Sequence, residues 1–394
     1  MRLLLSLDWL IVLFWTWRIL SAVRNLPRVP NLLDPLYAQP LPAQDTPLIS
    51  VIVPASNEEA DIQATLRSLL AVDSVPLEIL AIDDRSTDAT GAIMDRIAAA
   101  HRTLQSRSTM SVIHVTALPQ GWLGKPHAMA LAARQATAPW LLFTDADVLF
   151  SSDSLLRAVN FAGAANADHL VLYPTPILKT FGERMMIGIF QFFGFLGSRP
   201  WRVPDPNSRD SIGVGAFNLI RADVYRAIGG YESLRMEVVE DLRMGMAIKS
   251  AGYRQRVAAG FGLVRLRWVQ GISHFIRSLT KNFFAVFRFR SLAAFLACAT
   301  LLVFSLGPFA ALICLRTFWA PAVLLLVMLF LFYRSLRRIN GIPAAYCLTF
   351  PVAAALFIYA VARSVIVTLL FRGIRWRGTF YPLSELRNNA GPLR

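Results

Sequence analysis

The sequence predicts an α/β protein: a mostly parallel sheet built from βαβ units, set between apolar segments long enough to span a membrane. Three observations predict it. From Leu48 onward, short apolar runs alternate with stretches of helical period, the pattern of strands crossing over through helices. Each apolar run ends in polar residues, and the greasiest, Trp140-Leu-Leu-Phe-Thr144, stops at two carboxylates, Asp145 and Asp147. A buried parallel strand reads as such a continuous run, with ligand chemistry just past its C-terminal end. Long uncharged stretches near both termini complete the picture in a chain that is 55% hydrophobic and 16% charged, with mean hydropathy +0.48.

The formal charge is +15 over 394 residues. Beside membrane segments, excess Lys and Arg read as cytoplasmic flanks and anionic-lipid contacts, so no nucleic-acid partner is expected. Cys298, Cys314 and Cys347 lie in apolar segments without metal-ligand spacing and read as small buried hydrophobes.

Residues 1–23 form an apolar segment followed by Arg24 and Arg28, without a convincing cleavage site, so they predict an uncleaved N-terminal transmembrane anchor. Residues 24–47 carry Pro27, Pro30, Pro35, Pro40, Pro42 and Pro47 and predict a semi-rigid linker. Strands are predicted at Leu48 to Pro54, Leu77 to Asp83, Ser111 to Val115 and from Trp140. Helices are predicted at Glu58 to Leu70, Asp88 to Leu104 and Lys125 to Gln135, with Asp88 or Ser86 capping the second. Three strand ends carry acids: Asn57-Glu58, Asp83-Asp84 and Asp145-Ala-Asp147. By the switch-point rule these ends meet in one crevice, where grouped like charges need a cation or donors. No glycine-rich phosphate loop is present, so a nucleotide there is held through base, ribose and a bridging metal.

Val51-Ile-Val-Pro54-Ala-Ser-Asn57-Glu58, Ile82-Asp83-Asp84-Arg-Ser86-Thr-Asp88, Gly124-Lys125-Pro-His-Ala128 and Thr144-Asp145-Ala-Asp147 follow one another in order. So do Gly215-Ala-Phe-Asn-Leu-Ile-Arg221, Gly229-Gly230-Tyr-Glu232, and Glu240-Asp241 with Gly252-Tyr253. This ordered set, covering Leu48 to Arg267, resembles family 2 of the inverting glycosyltransferases with the GT-A fold. The resemblance implies a nucleotide-sugar donor: Asp83 accepting from a uracil-type base, Pro54, Asn57 and Glu58 lining the base and ribose pocket, and Asp84 beside them. Lys125 would sit near the base or diphosphate, Asp145 would face the ribose, and Asp147, with Asp145, would bind a divalent cation, Mg2+ or Mn2+, as suits carboxylate oxygens. Asp241 would be the general base toward the acceptor hydroxyl, with Glu240 the alternative. Taken alone, both acids also fit the first turn of a helix, where the macrodipole favours them.

One departure matters. Many membrane members carry Gln/Arg-x-x-Arg-Trp after the base, whereas here Val264-Arg-Leu-Arg267-Trp268-Val-Gln270 leaves no such motif in register. That argues against a processive polysaccharide synthase and leaves the basic partner of the diphosphate open among Arg267, His274, Arg277 and Lys281. Residues 181–201 and 268–290 predict amphipathic helices lying in the membrane interface. Residues 291–371 predict three transmembrane segments, Ser291 to Leu315, Thr317 to Tyr333 and Ala344 to Phe371, with Pro351 a possible break in the last. A basic tail, 372–394, follows. Alternation of spans sends this tail outside, while its Arg372, Arg375 and Arg377 call for the cytoplasm. The function expected is transfer of one sugar, from a UDP-hexose, to a membrane lipid acceptor at a bacterial-type inner membrane with the catalytic domain cytoplasmic. The alternatives are a polysaccharide synthase and a non-catalytic membrane scaffold on a degenerate transferase domain.

Overall fold

The structure, a computed structural model, describes residues 2–42, 46–314 and 319–389. Linker positions 43–45, the span boundaries expected at Leu315 and Thr317, and the tail beyond 389 lie outside the described residues, as does the side chain of Cys314. The chain forms two compact units, a sheet unit made of Val29–Ile177 with Pro200–Trp268 and a helical unit made of the remaining segments.

In chain order, α1 (Arg2–Asn25) belongs to the helical unit. The sheet unit follows with β1 (Ile49–Ala55), α2 (Ile62–Leu70), β2 (Leu77–Asp84), α3 (Thr90–Arg102), β3 (Thr109–Val115), α4 (Gly124–Gln135), β4 (Trp140–Phe143) and β5 (Val148–Phe150). Next come α5 (Ser154–Ala164), β6 (His169–Tyr173) and β7 (Thr175–Pro176). After α6 (Phe181–Ser198) in the helical unit, β8 (Asn218–Arg221), α7 (Ala222–Ala227), α8 (Glu240–Ser250), β9 (Gln255–Ala259) and β10 (Val264–Leu266) complete the sheet unit. The helical unit ends with α9 (Ile272–Ser278), α10 (Asn282–Val286), α11 (Ser291–Cys314), α12 (Trp319–Asn340), α13 (Phe350–Leu370), β11 (Gly373–Trp376), β12 (Thr379–Pro382) and α14 (Leu383–Asn389).

The main sheet has seven strands in the order β3-β2-β1-β4-β8-β6-β9, parallel except where β8 runs against both β4 and β6. All seven residues of β1 are buried, as a central strand covered on both faces requires. Alternation sorts its side chains: Val51 and Val53 pack with α2 and α3, and Ile52 packs on the opposite face with α4 and α8. The α2 helix starts at Ile62, four residues later than predicted, and the N–H groups of Asn57, Glu58 and Glu59 donate instead to the side chains of Ser86, Thr90 and Asp88.

The proline-rich segment is not a free spacer. Leu32 is fully buried and its N–H donates to the Ala259 carbonyl, while the Ala259 N–H donates to the Pro30 carbonyl, so the segment straps the edge strand β9. Arg157 then holds the Leu32 carbonyl and Asn160 the Tyr37 carbonyl.

Four helical stretches are long and apolar enough to cross a membrane: Arg2–Arg28, Ser291–Ile313, Trp319–Asn340 and Ala344–Leu370. The last one changes helix type where Pro351 was expected to break it: Ala344–Thr349 is a 3-10 helix and α13 starts at Phe350, with Pro351 in its first turn, where its missing N–H costs nothing. The amphipathic stretch 268–290 is instead broken into α9 and α10. The Ser364 hydroxyl of α13 accepts the Phe284 N–H and donates to the Thr280 carbonyl, inserting itself where a continuous helix would pair those two groups directly. Glu183, in the first turn of α6, is buried and closes a capping box with Thr180.

Candidate active site

The strand order 3-2-1-4 puts the switch point between β1 and β4, and the chain opens a crevice there. The β1–β4 pairing ends at Ile52 with Phe143, closed by the Thr144 N–H on the Ile52 carbonyl. Pro54 lies two residues further on, its nitrogen on the side where β4 has already left, so no ladder bond is lost. The acids past β1 and β4 therefore face a gap.

On the β1–β2 side the loops are laced together. The Asn57 N–H donates to Ser86 Oγ, the Glu58 N–H to Thr90 Oγ1, and the Thr87 N–H to Asn57 Oδ1. Asn57 and Arg85 both sit in the left-handed region, at φ 56° each. Asp84 is buried and takes a two-pronged grip from Arg85 at 2.8 and 3.0 Å. Asp83 Oδ1 accepts the Ser86 N–H, and Oδ2 meets His114 Nδ1 at 3.0 Å. His114 Nε2 meets Asp95 at 3.1 Å, and the hydrogen bonds to Asp83 and then Asp95 raise the imidazole pKa. The N-cap of α3 is Ala89, neither Asp88 nor Ser86; Asp88, one residue before it, accepts the Thr90 N–H.

Across the gap, one lysine ties the end of β4 to the start of α8. Lys125, in the first turn of α4, reaches Asp145 Oδ1 and Glu240 Oε1, both at 2.6 Å. Burial disfavours its charge, but Asp145, Glu240 and Asp241 outweigh that and raise its pKa well above the usual lysine value. Gly215 is the second tie. Its N–H donates to Asp241 Oδ2 at 2.9 Å, and a Cβ there would lie 2.6 Å from Asp145 Oδ2. The antiparallel register that sets Asn218 opposite Phe143 carries Gly215 past the end of β4 to this spot. Burial, then the Glu240 carboxylate, push the Asp241 pKa up to about 7, and Lys125 moderates the rise.

Asp147 completes the crevice. Burial, then Asp145 and Glu58, push its pKa up to about 7, the signature of carboxylates gathered without enough counter-charge. No group of three His, Cys, Asp or Glu gathers at metal-binding distance among the described residues. Magnesium and manganese at phosphate-transfer sites typically take one or two carboxylates and complete their shell with water and phosphate oxygens, so Asp147 with Asp145 fits such an ion.

The structure thus brings together Asp145, Lys125, Glu240 and Asp241, and separately Asp83, Asp84, Asn57 and Glu58 with the loop past β2. It places Lys125 on two carboxylates. Sequence reasoning assigned no role to His114 or Gly215. His114 was within reach of it, since β2 and β3 are neighbours and parallel register sets Asp83 opposite His114. Gly215 was not, because its role depends on the long-range β4–β8 pairing.

A 3-2-1-4 sheet with acids past β1, β2 and β4 defines an α/β domain of the GT-A fold class. Residues 50–229 match the model of "Glycosyl transferase family 2", and the chain therefore carries a family 2 glycosyltransferase domain. A curated relative, 4,4'-diaponeurosporenoate glycosyltransferase of Staphylococcus haemolyticus, is 25% identical over 244 residues. That match covers 61% of this chain and 62% of the relative's length. In fold the chain is similar to the mannosyltransferase PcManGT from Pyrobaculum calidifontis, solved with GDP-Man and Mn2+, at a TM-score of 0.54 and 18% identity over 94% of this chain and 97% of that one.

Proposed function

We propose that the protein is an inverting glycosyltransferase that moves one sugar from a nucleotide-sugar, a UDP-hexose, to the hydroxyl of a membrane lipid. The observation that carries this reading is the convergence of Asp145, Lys125, Glu240 and Asp241 at the switch point of the sheet. Asp83, Pro54, Asn57, Glu58 and Asp84 form the nucleotide side. Asp241 takes the proton of the acceptor hydroxyl as that oxygen bonds the anomeric carbon and the bond from that carbon to the nucleoside diphosphate breaks, leaving the sugar inverted. A carboxylate with a pKa near 7 suits a base working near neutral pH. Glu240 is held in an ion pair with Lys125, which supports Asp241 over Glu240 as the base. Asp147 and Asp145 would hold the divalent cation. When bound, that ion stabilises charge on the leaving diphosphate.

Four membrane-length helices and the relative's named substrate support a lipid acceptor, and the basic Arg334, Arg337 and Arg338 after α12's apolar stretch support a cytoplasmic catalytic domain in an inner membrane. The test is to incubate membranes holding the protein with a panel of radiolabelled nucleotide sugars, extract the lipids, and identify the labelled product by mass spectrometry. A single-sugar glycolipid with UDP-hexose is expected. Long water-soluble polymer would support a synthase instead, and no product with any donor would end the transferase reading. Asp241→Asn should abolish labelling while nucleotide still binds; retained transfer would remove Asp241 from the mechanism.

A further inference from the structure

The helical unit contains a cavity of about 680 Å³ between α9, the α9–α10 break, the end of α13 and the β11–β12 hairpin. Five cations line it: Arg277, Lys281, Arg363, Arg375 and Arg377. Among the described residues no Asp or Glu does. We propose that this cavity binds the phosphate head group of a net-anionic membrane lipid. The proposal stands on the helical unit alone and does not rest on the transferase reading.

Three features carry it. Arg363 is half-buried inside the apolar stretch Ala344–Leu370, seven residues before its end, or roughly 10 Å along a helix. That depth is close to where head groups begin, and a charge set within a span ordinarily faces a polar partner or cavity. Arg363 Nη1 bonds Thr280 Oγ1, and its neighbour Ser364 makes the break between α9 and α10. That break turns the chain so that Lys281 lines the cavity, where its Nζ lies 3.8 Å from the centre of the Trp376 ring. The hairpin carrying Arg375 and Arg377 is thereby brought to the same place.

The second feature is charge. Five cations in one cavity repel, and an anion that bridges them removes the repulsion. Phosphate, with several acceptor oxygens, matches guanidinium donors. The third is the apolar wall. Val367, Phe371 and Phe380 complete the lining, and Phe371 is 70% exposed and Phe380 47% exposed beside exposed arginines. A soluble phosphate has no use for that wall; acyl chains leaving a head group do. The combination of a basic pocket with exposed aromatic residues at the end of a membrane helix is that of a lipid head-group site.

The test uses the full-length protein in neutral detergent with a fluorescent phosphatidylglycerol as the probe. It is competed with unlabelled phosphatidylglycerol, with phosphatidylcholine of the same chains, and with inorganic pyrophosphate. Phosphatidylglycerol should compete at least about tenfold better than phosphatidylcholine. The double variant Arg375→Gln, Arg377→Gln should bind it about twenty-fivefold more weakly, at roughly fivefold per charge. Both arginines are exposed, so the variant's melting temperature without lipid should not change. Arg363→Gln should weaken binding as well; if it fails to fold, the exposed pair decides. Equal competition by the two lipids, or wild-type affinity in the double variant, would overturn the proposal. Competition by pyrophosphate as strong as by phosphatidylglycerol would assign the cavity to a soluble phosphoanion and overturn the lipid.

Discussion

The crevice of the sheet unit and the cavity of the helical unit solve opposite electrostatic problems. The crevice gathers carboxylates and supplies its own counter-charge: Lys125 sits between Asp145 and Glu240, and Arg85 grips Asp84. The cavity gathers five cations and, among the described residues, no carboxylate in its wall. The difference teaches where a ligand is needed to complete the charge balance. Of the crevice's described carboxyls, Asp147 and Asp241 are the two whose pKa values are pushed up to about 7, so the unfinished part is narrow and chemical: a cation on one side, a proton on the other. In the cavity the positive charge of the wall has no carboxylate facing it among the described residues.

Removing the proposed proton acceptor is the largest way to break this contrast. Asp241→Asn should lower kcat by a factor of about 10²–10⁴ without lowering Tm, read by initial rates and thermal melts. The same carboxyl sets the pH profile. Its raised pKa means that protons bind as pH falls through about 7, so kcat should decline on the acid side with an inflection there, and the Asn variant should lose that limb.

Removing the internal counter-charge comes next. Lys125→Met leaves Asp145 and Glu240 without their cation, and loss of a buried ion-pair partner costs about 3–5 kcal/mol at the upper end. Because Lys125 is about a quarter exposed, at 23%, the loss read by denaturant melts should be smaller, about 1–3 kcal/mol. A fully wild-type melt would show that the lysine does not neutralise the cluster.

Gly215→Ala tests the second tie. A methyl 2.6 Å from Asp145 Oδ2 must push that carboxylate aside, and misplacement of about 1 Å at a site can cost about 10²-fold in rate. Here kcat should fall while Tm holds, and unchanged kinetics would show that Asp145 needs no fixed position. On the helical side, Ser364→Ala removes the hydroxyl bridging Phe284 and Thr280 and should cost about 1–3 kcal/mol by thermal melts.

The smallest effect concerns His114. Its raised pKa means that the folded state holds the proton more tightly than the unfolded chain. The stabilisation is therefore full below the ordinary histidine range, near pH 6.5, and is lost as pH rises through the raised value. His114→Gln should flatten the pH dependence of Tm across that window; an unaltered profile would free Asp83 and Asp95 from this role.

The α/β class, the mostly parallel sheet and the acidic strand ends could be read from the amino-acid order, because buried strands write themselves as apolar runs and their ends as abrupt polarity. The four membrane-length segments were legible for the same reason, since about 20 apolar residues in a row have few other uses. Contacts between residues far apart in sequence were not. The strap of Leu32 on Ala259, the Ser364 hydroxyl that splits one amphipathic helix into two, and the Lys125 that joins Asp145 to Glu240 all depend on partners at least 20 residues away. Amino-acid order alone says which residues bear charge and which elements carry them. Only the tertiary structure decided which charges meet, because burial and distance, not identity, set whether a carboxylate is paired, protonated or left waiting for a cation.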